Sequence, residues 1–131
     1  MIHTDTPYAD IGEMVNISCT GGSDIDPLHD KLQWRRSSDD VTDVQKTQKI
    51  IDTNLDATTK TWDSAINETR FDISKNGEDP PKYFFTIQSF APSDVYKYWC
   101  RFFKVPAIVD DEIASLKINT RGGHAIMKCE H

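Results

Sequence analysis

The sequence predicts an all-β fold in which two sheets pack face to face as a sandwich. Short segments of alternating apolar and polar residues recur along the 131-residue chain, and helical periodicity is hard to find. Segments rich in glycine, proline, asparagine and aspartate separate them, as turns between strands require. Two cysteines, Cys19 and Cys100, fall at inward positions of alternating segments far apart in sequence. A disulfide between them would join the two packed sheets.

The alternation predicts eight strands, with a further first strand within residues 2–9. They lie near residues 14–19, 31–36, 46–51, 58–62, 70–74, 83–88, 96–103 and 112–119. The Ala-Pro-Ser-Asp segment at 91–94 predicts a single helical turn, in which Asp94 accepts backbone hydrogen bonds. The alternation is lost after residue 119, so we expect one domain over residues 1–119. Residues 120–131 are expected to form a C-terminal tail or a linker to a missing region.

Composition restricts the classes of partner. The formal net charge is −6 and the pI is about 5.1, which argues against general binding to nucleic acid or anionic membranes. No apolar run approaches the ~20 residues that span a bilayer, so we expect a soluble chain without direct membrane insertion. A polar segment follows Met1. Either a leader has been removed and Met1 was added for expression, or the protein is cytosolic.

The two strand cysteines are the strongest candidates for a structural crosslink. Cys19 ends Met-Val-Asn-Ile-Ser-Cys, whose alternation puts the cysteine on the buried side, and Cys100 shares a strand face with Tyr98. The alternative is two unpaired buried thiols that pack as small apolar residues. The third cysteine, Cys129, would form an interchain bridge, pair with a missing domain, or stay unpaired through truncation. The spacings do not resemble a zinc site.

Two triplets fit the N-glycosylation pattern, Asn16-Ile17-Ser18 and Asn67-Glu68-Thr69. Together with a disulfide they predict an extracellular protein, because both modifications belong to the secretory route. The alternation around Asn16 points its side chain towards solvent.

The spacing of particular residues resembles a V-type domain of the immunoglobulin superfamily. Cys19 is followed after 15 residues by Trp34, and Asp-Val-Tyr-Lys-Tyr-Trp-Cys at 94–100 matches the sixth strand of that family. The likeness covers residues 8–119 and implies a two-sheet, V-type Greek-key sandwich with a Cys19–Cys100 disulfide. In such domains the tryptophan packs against the disulfide, and the position of Tyr98 is that of the tyrosine corner.

The resemblance also implies an ion pair between Arg70 and Asp94 at one end of the sandwich. It further implies that Phe85, Ile87 and Phe90 point inwards. The Phe-Gly-x-Gly bulge of rearranged antigen receptors is absent, and Tyr96 stands where a small residue is common. The absence of this bulge argues against an antibody or T-cell-receptor variable domain and favours a germline-encoded receptor, adhesion or decoy domain. The long segment 36–70 leaves room for the two extra strands of the V type.

The sequence gives little support for catalysis or for a bound cofactor. The sequence has no Gly-x-Ser-x-Gly, no His-Glu-x-x-His and no phosphate-binding glycine loop, so we expect neither an enzyme nor a cofactor. The four histidines fall in predicted loops and termini. Acidic residues at two loops of the same end could converge on a calcium ion, or could serve solubility alone. They are Asp24, Asp26, Asp30, Asp110, Asp111 and Glu112.

The assignment of residues to the outer faces of the two sheets predicts where a partner binds. Glycans at Asn16 and Asn67 would shield the sheet of strands one, two, four and five. The opposite sheet would then present outward residues to a protein ligand or counter-receptor, namely Gln33, Arg35, Lys97, Trp99, Arg101 and Phe103. We expect Trp99 to face solvent as an interface aromatic, unless a loop or lysine stems cover it. Trp62 is a second candidate.

These features predict an extracellular recognition module within a larger immune-type receptor or a secreted defence or decoy protein. The alternative is a homophilic adhesion or structural domain, which would form a homodimer across the same sheet.

Overall fold

The computed structural model describes residues 1–21, 26, 30–78, 80–104 and 109–121, with only the backbone at 104 and 109–112. The strands are β1 (Ile2–Thr4), β2 (Tyr8–Ala9), β3 (Val15–Thr20), β4 (Lys31–Ser37), β5 (Gln48–Asn54), β6 (Lys60–Trp62), β7 (Phe71–Lys75), β8 (Lys82–Ile87), β9 (Lys97–Lys104), β10 (Val109–Lys117) and β11 (Asn119–Thr120). Single 3-10 turns span Val44–Lys46, Glu68–Arg70 and Pro92–Asp94. In this part of the chain no helix is long and apolar enough to cross a membrane.

The strands form two packed sheets. One has four strands in the order β1-β3-β8-β7, and the other has five in the order β10-β9-β4-β5-β6. All pairs within these sheets are antiparallel, while β11 pairs with β2 in parallel. The predicted all-β, two-sheet fold is confirmed, and the architecture is an immunoglobulin-like sandwich.

The core lies between the inner faces of the sheets. On β3, Val15, Ile17 and Cys19 are buried while Asn16 between them is exposed, because successive side chains of a strand point to opposite faces. The predicted disulfide between Cys19 and Cys100 is present and joins β3 to β9 across the core. It therefore connects the two sheets at positions separated by 81 residues.

Aromatic rings fill the space beside the disulfide. Trp34 is buried on β4 with its ring centroid 5.5 Å from that of Phe85, and Phe85 lies 5.9 Å from Tyr98. The inward positions predicted for Phe85, Ile87 and Phe90 are all buried. Such offset and tilted pairs add to the free energy gained from burial alone.

Strand β5 departs from the prediction at its start. Residues 46 and 47 were expected in the strand, but Val44–Lys46 forms a 3-10 turn whose N-cap is Asp43, and β5 begins at Gln48. The pairing of β4 with β5 shifts between Trp34 and Arg35, which marks a β-bulge. Both Ile50 and Ile51 are buried there, a local break in the alternation.

The last strand extends beyond the predicted domain boundary at Asn119. Thr120 pairs with Ala9 in the β11–β2 ladder, and the Arg121 backbone N–H donates to the Ala9 carbonyl oxygen at 2.9 Å. The sandwich therefore includes residues 120 and 121. The rest of the predicted tail, with Cys129, lies outside the described residues.

Candidate functional site

Strand pairing brings the predicted partner-binding residues together on the outward face of the five-stranded sheet. Gln33 lies opposite Arg101, and Arg35 lies opposite Trp99 across the β4–β9 ladder. Lys97 and Phe103 follow the same alternation on β9. We call this surface the outward face. The six residues share it as the sequence predicts, but their exposure differs from the prediction.

Trp99 is buried, so the expectation that it faces solvent is wrong. Only 5% of its surface is exposed. Its indole Nε1 donates to Ser37 Oγ at 2.9 Å, and the Lys97 ammonium lies 4.9 Å from the ring centroid. Lys97 Nζ also donates to the Val41 carbonyl oxygen at 2.8 Å. The Lys97 side chain therefore passes over the indole and reaches the connection between β4 and β5, which is the covered arrangement that the sequence left as the alternative.

Three other predicted contact residues, Gln33, Arg101 and Phe103, are also buried. The Arg101 guanidinium lies 5.4 Å from the centroid of the Phe103 ring, a cation–π contact. Phe103 and Trp99 are absent from the main core cluster, so they are buried on the outward side of the sheet. Trp62 is half-buried and stacks on Phe71 with a centroid distance of 6.4 Å, and it packs against the core instead of presenting its ring to a partner.

A polar network ties the cations of the outward face to each other. Gln33 Oε1 accepts from Arg35 Nη1 at 2.7 Å and from Arg101 Nη1 at 3.2 Å. Gln33 Nε2 donates to Asp52 Oδ1 at 2.6 Å, and Lys49 Nζ donates to Asp52 Oδ2 at 2.9 Å. Because buried polar groups need partners, this network holds the two guanidinium groups in fixed positions.

The connection between β4 and β5, residues 38–47, completes the network. Arg35 Nη2 donates to the Thr47 carbonyl oxygen at 2.7 Å, and Arg35 Nε donates to Thr47 Oγ1. Val44, in the 3-10 turn, is buried outside the main core cluster. Sequence reasoning missed this segment. Its signal is two isolated valines, Val41 and Val44, within a run of polar residues.

The rim of the outward face is accessible. Ile113 on β10 is 40% exposed and lies opposite Arg101. Lys31, Lys97 and Lys117 are partly exposed on β4, β9 and β10. The alternation of residues gives no signal for Ile113, because its strand face depends on a register shift between Asp110 and Glu112.

One end of the sandwich carries the predicted ion pair. Arg70 donates to both carboxylate oxygens of Asp94, and Arg70 Nη1 lies 2.6 Å from Oδ1. The Tyr98 hydroxyl donates to the Asp94 carbonyl oxygen at 2.8 Å, which is the tyrosine-corner contact. Hydrogen bonding to Asp94 raises the pKa of Arg70, and burial raises the pKa of Tyr98. These residues stabilise the fold and take no direct part in the outward face.

Both glycosylation triplets lie on the four-stranded sheet or at its edge. Asn16 is exposed on β3, and its Oδ1 accepts from Thr86 Oγ1 at 2.6 Å. Asn67 is exposed just before the edge strand β7, where it caps the turn Glu68–Arg70 and accepts from Thr69 Oγ1 at 2.7 Å. The outward positions expected for these two asparagines are those observed.

Of the six acidic loop residues, the structure describes the side chains of Asp26 and Asp30. Asp24 and the side chains of 110–112 lie outside the described residues. The Asp30 carboxylate accepts from the Asp26 backbone N–H at 2.8 Å and so closes the turn between them. Among the described side chains, no group of three or more histidine, cysteine, aspartate or glutamate residues is arranged to hold a metal ion.

No protein-family model matches the chain, and comparison with curated proteins finds no match. The assignment of the fold therefore depends on strand order, sheet packing and the disulfide.

Proposed function

We propose that the chain is a V-type immunoglobulin domain that recognises a protein ligand or counter-receptor outside the cell. It would belong to a larger immune-type receptor or to a secreted defence or decoy protein. It binds through the outward face and the adjacent loops, and it has no enzymatic role.

The distribution of the glycosylation triplets carries the proposal. Asn16 and Asn67 are exposed on the four-stranded sheet and at its edge, and the described outward face has no such triplet. Glycans at these sites would cover one sheet and leave the other accessible to a protein.

The V-type assignment is supported by strand order. Beyond β4 the five-stranded sheet continues with β5 and β6, as V-type domains extend this sheet by two strands. Trp34 beside the disulfide and the bond from Tyr98 to Asp94 agree with it.

The extracellular assignment is supported by the disulfide. Disulfides form and persist in oxidising compartments and are rare in the cytosol.

A glycan placed on the outward face tests the binding surface. Ile113→Asn creates an Asn-Ala-Ser triplet at positions 113–115, at the accessible rim. The domain and this variant are made in a glycosylating cell and screened against a panel of extracellular proteins. We expect the glycosylated variant to lose the partner that the parent binds.

The matched control is the double variant Ile113→Asn with Ser115→Ala, which has the same asparagine but no triplet. It should bind more tightly than the glycosylated variant. If a bulky glycan at 113 leaves binding unchanged, the proposed surface is wrong. Sedimentation of the parent tests the alternative, since homophilic adhesion predicts a dimer that the same glycan disrupts.

A further inference from the structure

Charge is distributed unequally between the two outer surfaces of the sandwich. The strand registers put six cations on the outward face. Asp52 is the one carboxylate there whose side chain is described, and the backbone of Asp110 pairs with Phe103 at a further outward position. The cations are Lys31, Arg35, Lys49, Lys97, Arg101 and Lys117. On the outer side of the four-stranded sheet, the same reasoning gives one cation, Lys82, and one carboxylate, Asp72. Although the chain has a net charge of −6, the described side chains make the outward face the more basic of the two outer surfaces.

Two pairs of like charges lie directly opposite each other on this face. Lys97 is paired with Lys117 across the β9–β10 ladder, and Arg35 is paired with Lys49 across the β4–β5 ladder. Like charges at directly opposite positions of neighbouring strands destabilise a sheet. Residues that lower the stability of a fold are often found at functional sites. The two like-charged pairs therefore indicate a binding surface.

Among the described side chains, the charge of the lysines on this face is only partly neutralised. Asp52 pairs with Lys49, and the Lys97 ammonium donates to a neutral carbonyl oxygen of Val41. Asp40, in the connection at the rim, is close enough for the charge of Lys97 to be among the causes that lower its pKa, after its hydrogen bond from Ser38. Lys31, Lys97 and Lys117 form no ion pair with a described carboxylate, so the face attracts anions.

Ile113 indicates which kind of anion fits. This exposed apolar side chain lies opposite Arg101, so the accessible surface combines lysines with an apolar contact point. Protein interfaces combine an apolar centre with a polar rim. A sulfated polysaccharide would leave Ile113 in water.

We propose that the outward face binds an acidic surface of a partner protein, with carboxylates meeting Lys31, Lys97 and Lys117 and an apolar group meeting Ile113 on the edge strand β10. This inference rests on the proposed function and specifies the chemistry of its ligand. Complementary charge speeds encounter and excludes basic partners.

A poly-L-glutamate peptide, immobilised and titrated at low and at physiological salt, tests the charge requirement. We expect salt-sensitive binding by the parent and roughly tenfold weaker binding by Lys31→Glu with Lys117→Glu, since two attractions become repulsions. Lys117→Glu alone should also weaken binding, and it should raise the melting temperature by about 2 °C because it replaces repulsion from Lys97 with attraction. Weaker binding with greater stability is an outcome that damage to the fold does not produce.

The matched control for the single variant Lys117→Glu is Lys82→Glu, the same single charge reversal on the opposite sheet, where Lys82 lies across from Thr20. It should retain parental binding. Equal loss in this control, no binding of the peptide by the parent, or binding of heparin but not of the peptide would each overturn the inference.

The glycan at position 113 tests the proposed function separately. A partner blocked by that glycan but insensitive to both charge reversals would leave the proposed function standing and reject the acidic ligand.

Discussion

Arg70 and Asp94 form a two-point ion pair that joins the turn before β7 to the turn before β9. The Arg70 Nη1 and Nη2 atoms lie 2.6 and 2.5 Å from the two carboxylate oxygens of Asp94. The environments of the partners differ, since the Arg70 side chain is 30% exposed and that of Asp94 is fully buried. Asp94 also accepts from the backbone N–H of Ala91 at 2.8 Å.

This asymmetry predicts that Arg70→Ala is more damaging than Asp94→Asn. The first change leaves a buried carboxylate without its cation and should cost about 3 kcal/mol of the free energy of unfolding. The second leaves an arginine that water can reach, and the amide oxygen can still accept from Ala91, so about 1–2 kcal/mol is expected. Urea unfolding of both variants measures the difference. Equal costs would show that burial of Asp94 does not determine the energy of the pair.

Tyr98 predicts a loss of stability at alkaline pH. Burial, with the nearby Asp94 carboxylate, raises its pKa above the usual value of about 10. Below pH 10 the phenol is protonated in both the folded and the unfolded chain, and its contribution is constant. Above pH 10 the unfolded chain releases this proton while the folded chain retains it, so the free energy of unfolding falls as the pH rises.

Tyr98→Phe should cost about 1 kcal/mol at pH 7, because the Asp94 carbonyl oxygen loses its hydrogen bond. The variant should also lose less stability than the parent between pH 9 and 11, as measured by urea unfolding at each pH. Tyr83, whose pKa burial also raises, stays in both proteins and cancels in the comparison. Parallel pH profiles would contradict the assignment.

The sequence predicts contacts that strand periodicity or family spacing determines. Alternation put Cys19 and Cys100 on inward faces, and the V-type pattern implied the pair between Arg70 and Asp94. The exposure of Trp99 is a property that strand periodicity does not predict. Alternation correctly gave its side of β9, but its cover comes from the Lys97 side chain and from Ser37 on the neighbouring strand. A strand pattern determines the face of a side chain and contains no information about what lies over that face.

Because Trp99 is buried, its substitution measures the stability of the fold and not the binding of a partner. Trp99→Ala should destabilise the domain by about 3–5 kcal/mol, since it empties a buried site and leaves Ser37 without its indole donor. Thermal unfolding followed by circular dichroism measures this. Ile113→Ala, at the exposed rim, is the control and should change stability by less than about 0.5 kcal/mol. A Trp99→Ala variant as stable as this control would mean that the indole is exposed in solution.

The observed strands differ from the expected bounds at two other points. The last strand continues past the expected boundary at Asn119, because Thr120 pairs in parallel with Ala9. The local sequence pattern contains no signal for this pairing. The start of β5 was displaced because Asp43 caps a turn through its bond from the Gln45 backbone N–H. The first depends on a partner distant in sequence, whereas the second depends on a local cap that interrupts the alternation.

The disulfide predicts a large loss of stability when it is reduced. It closes a loop of 81 residues, for which the loop-entropy estimate gives about 4.5 kcal/mol. The double variant Cys19→Ala with Cys100→Ala should lose about that amount in urea unfolding, and a reducing agent should lower the stability of the parent alone. If the reducing agent has the same effect on the double variant, the loss does not come from this bridge.

The two glycosylation triplets predict two separate glycans. Expression in a secreting eukaryotic cell should give a protein whose electrophoretic mobility rises in one step for Asn16→Gln and in one step for Asn67→Gln. The double variant should match the parent after N-glycosidase treatment. Because both asparagines lie away from the outward face, ligand binding should be the same in all variants. A change in binding on removing either glycan would show that the four-stranded sheet, or its edge at Asn67, takes part in recognition.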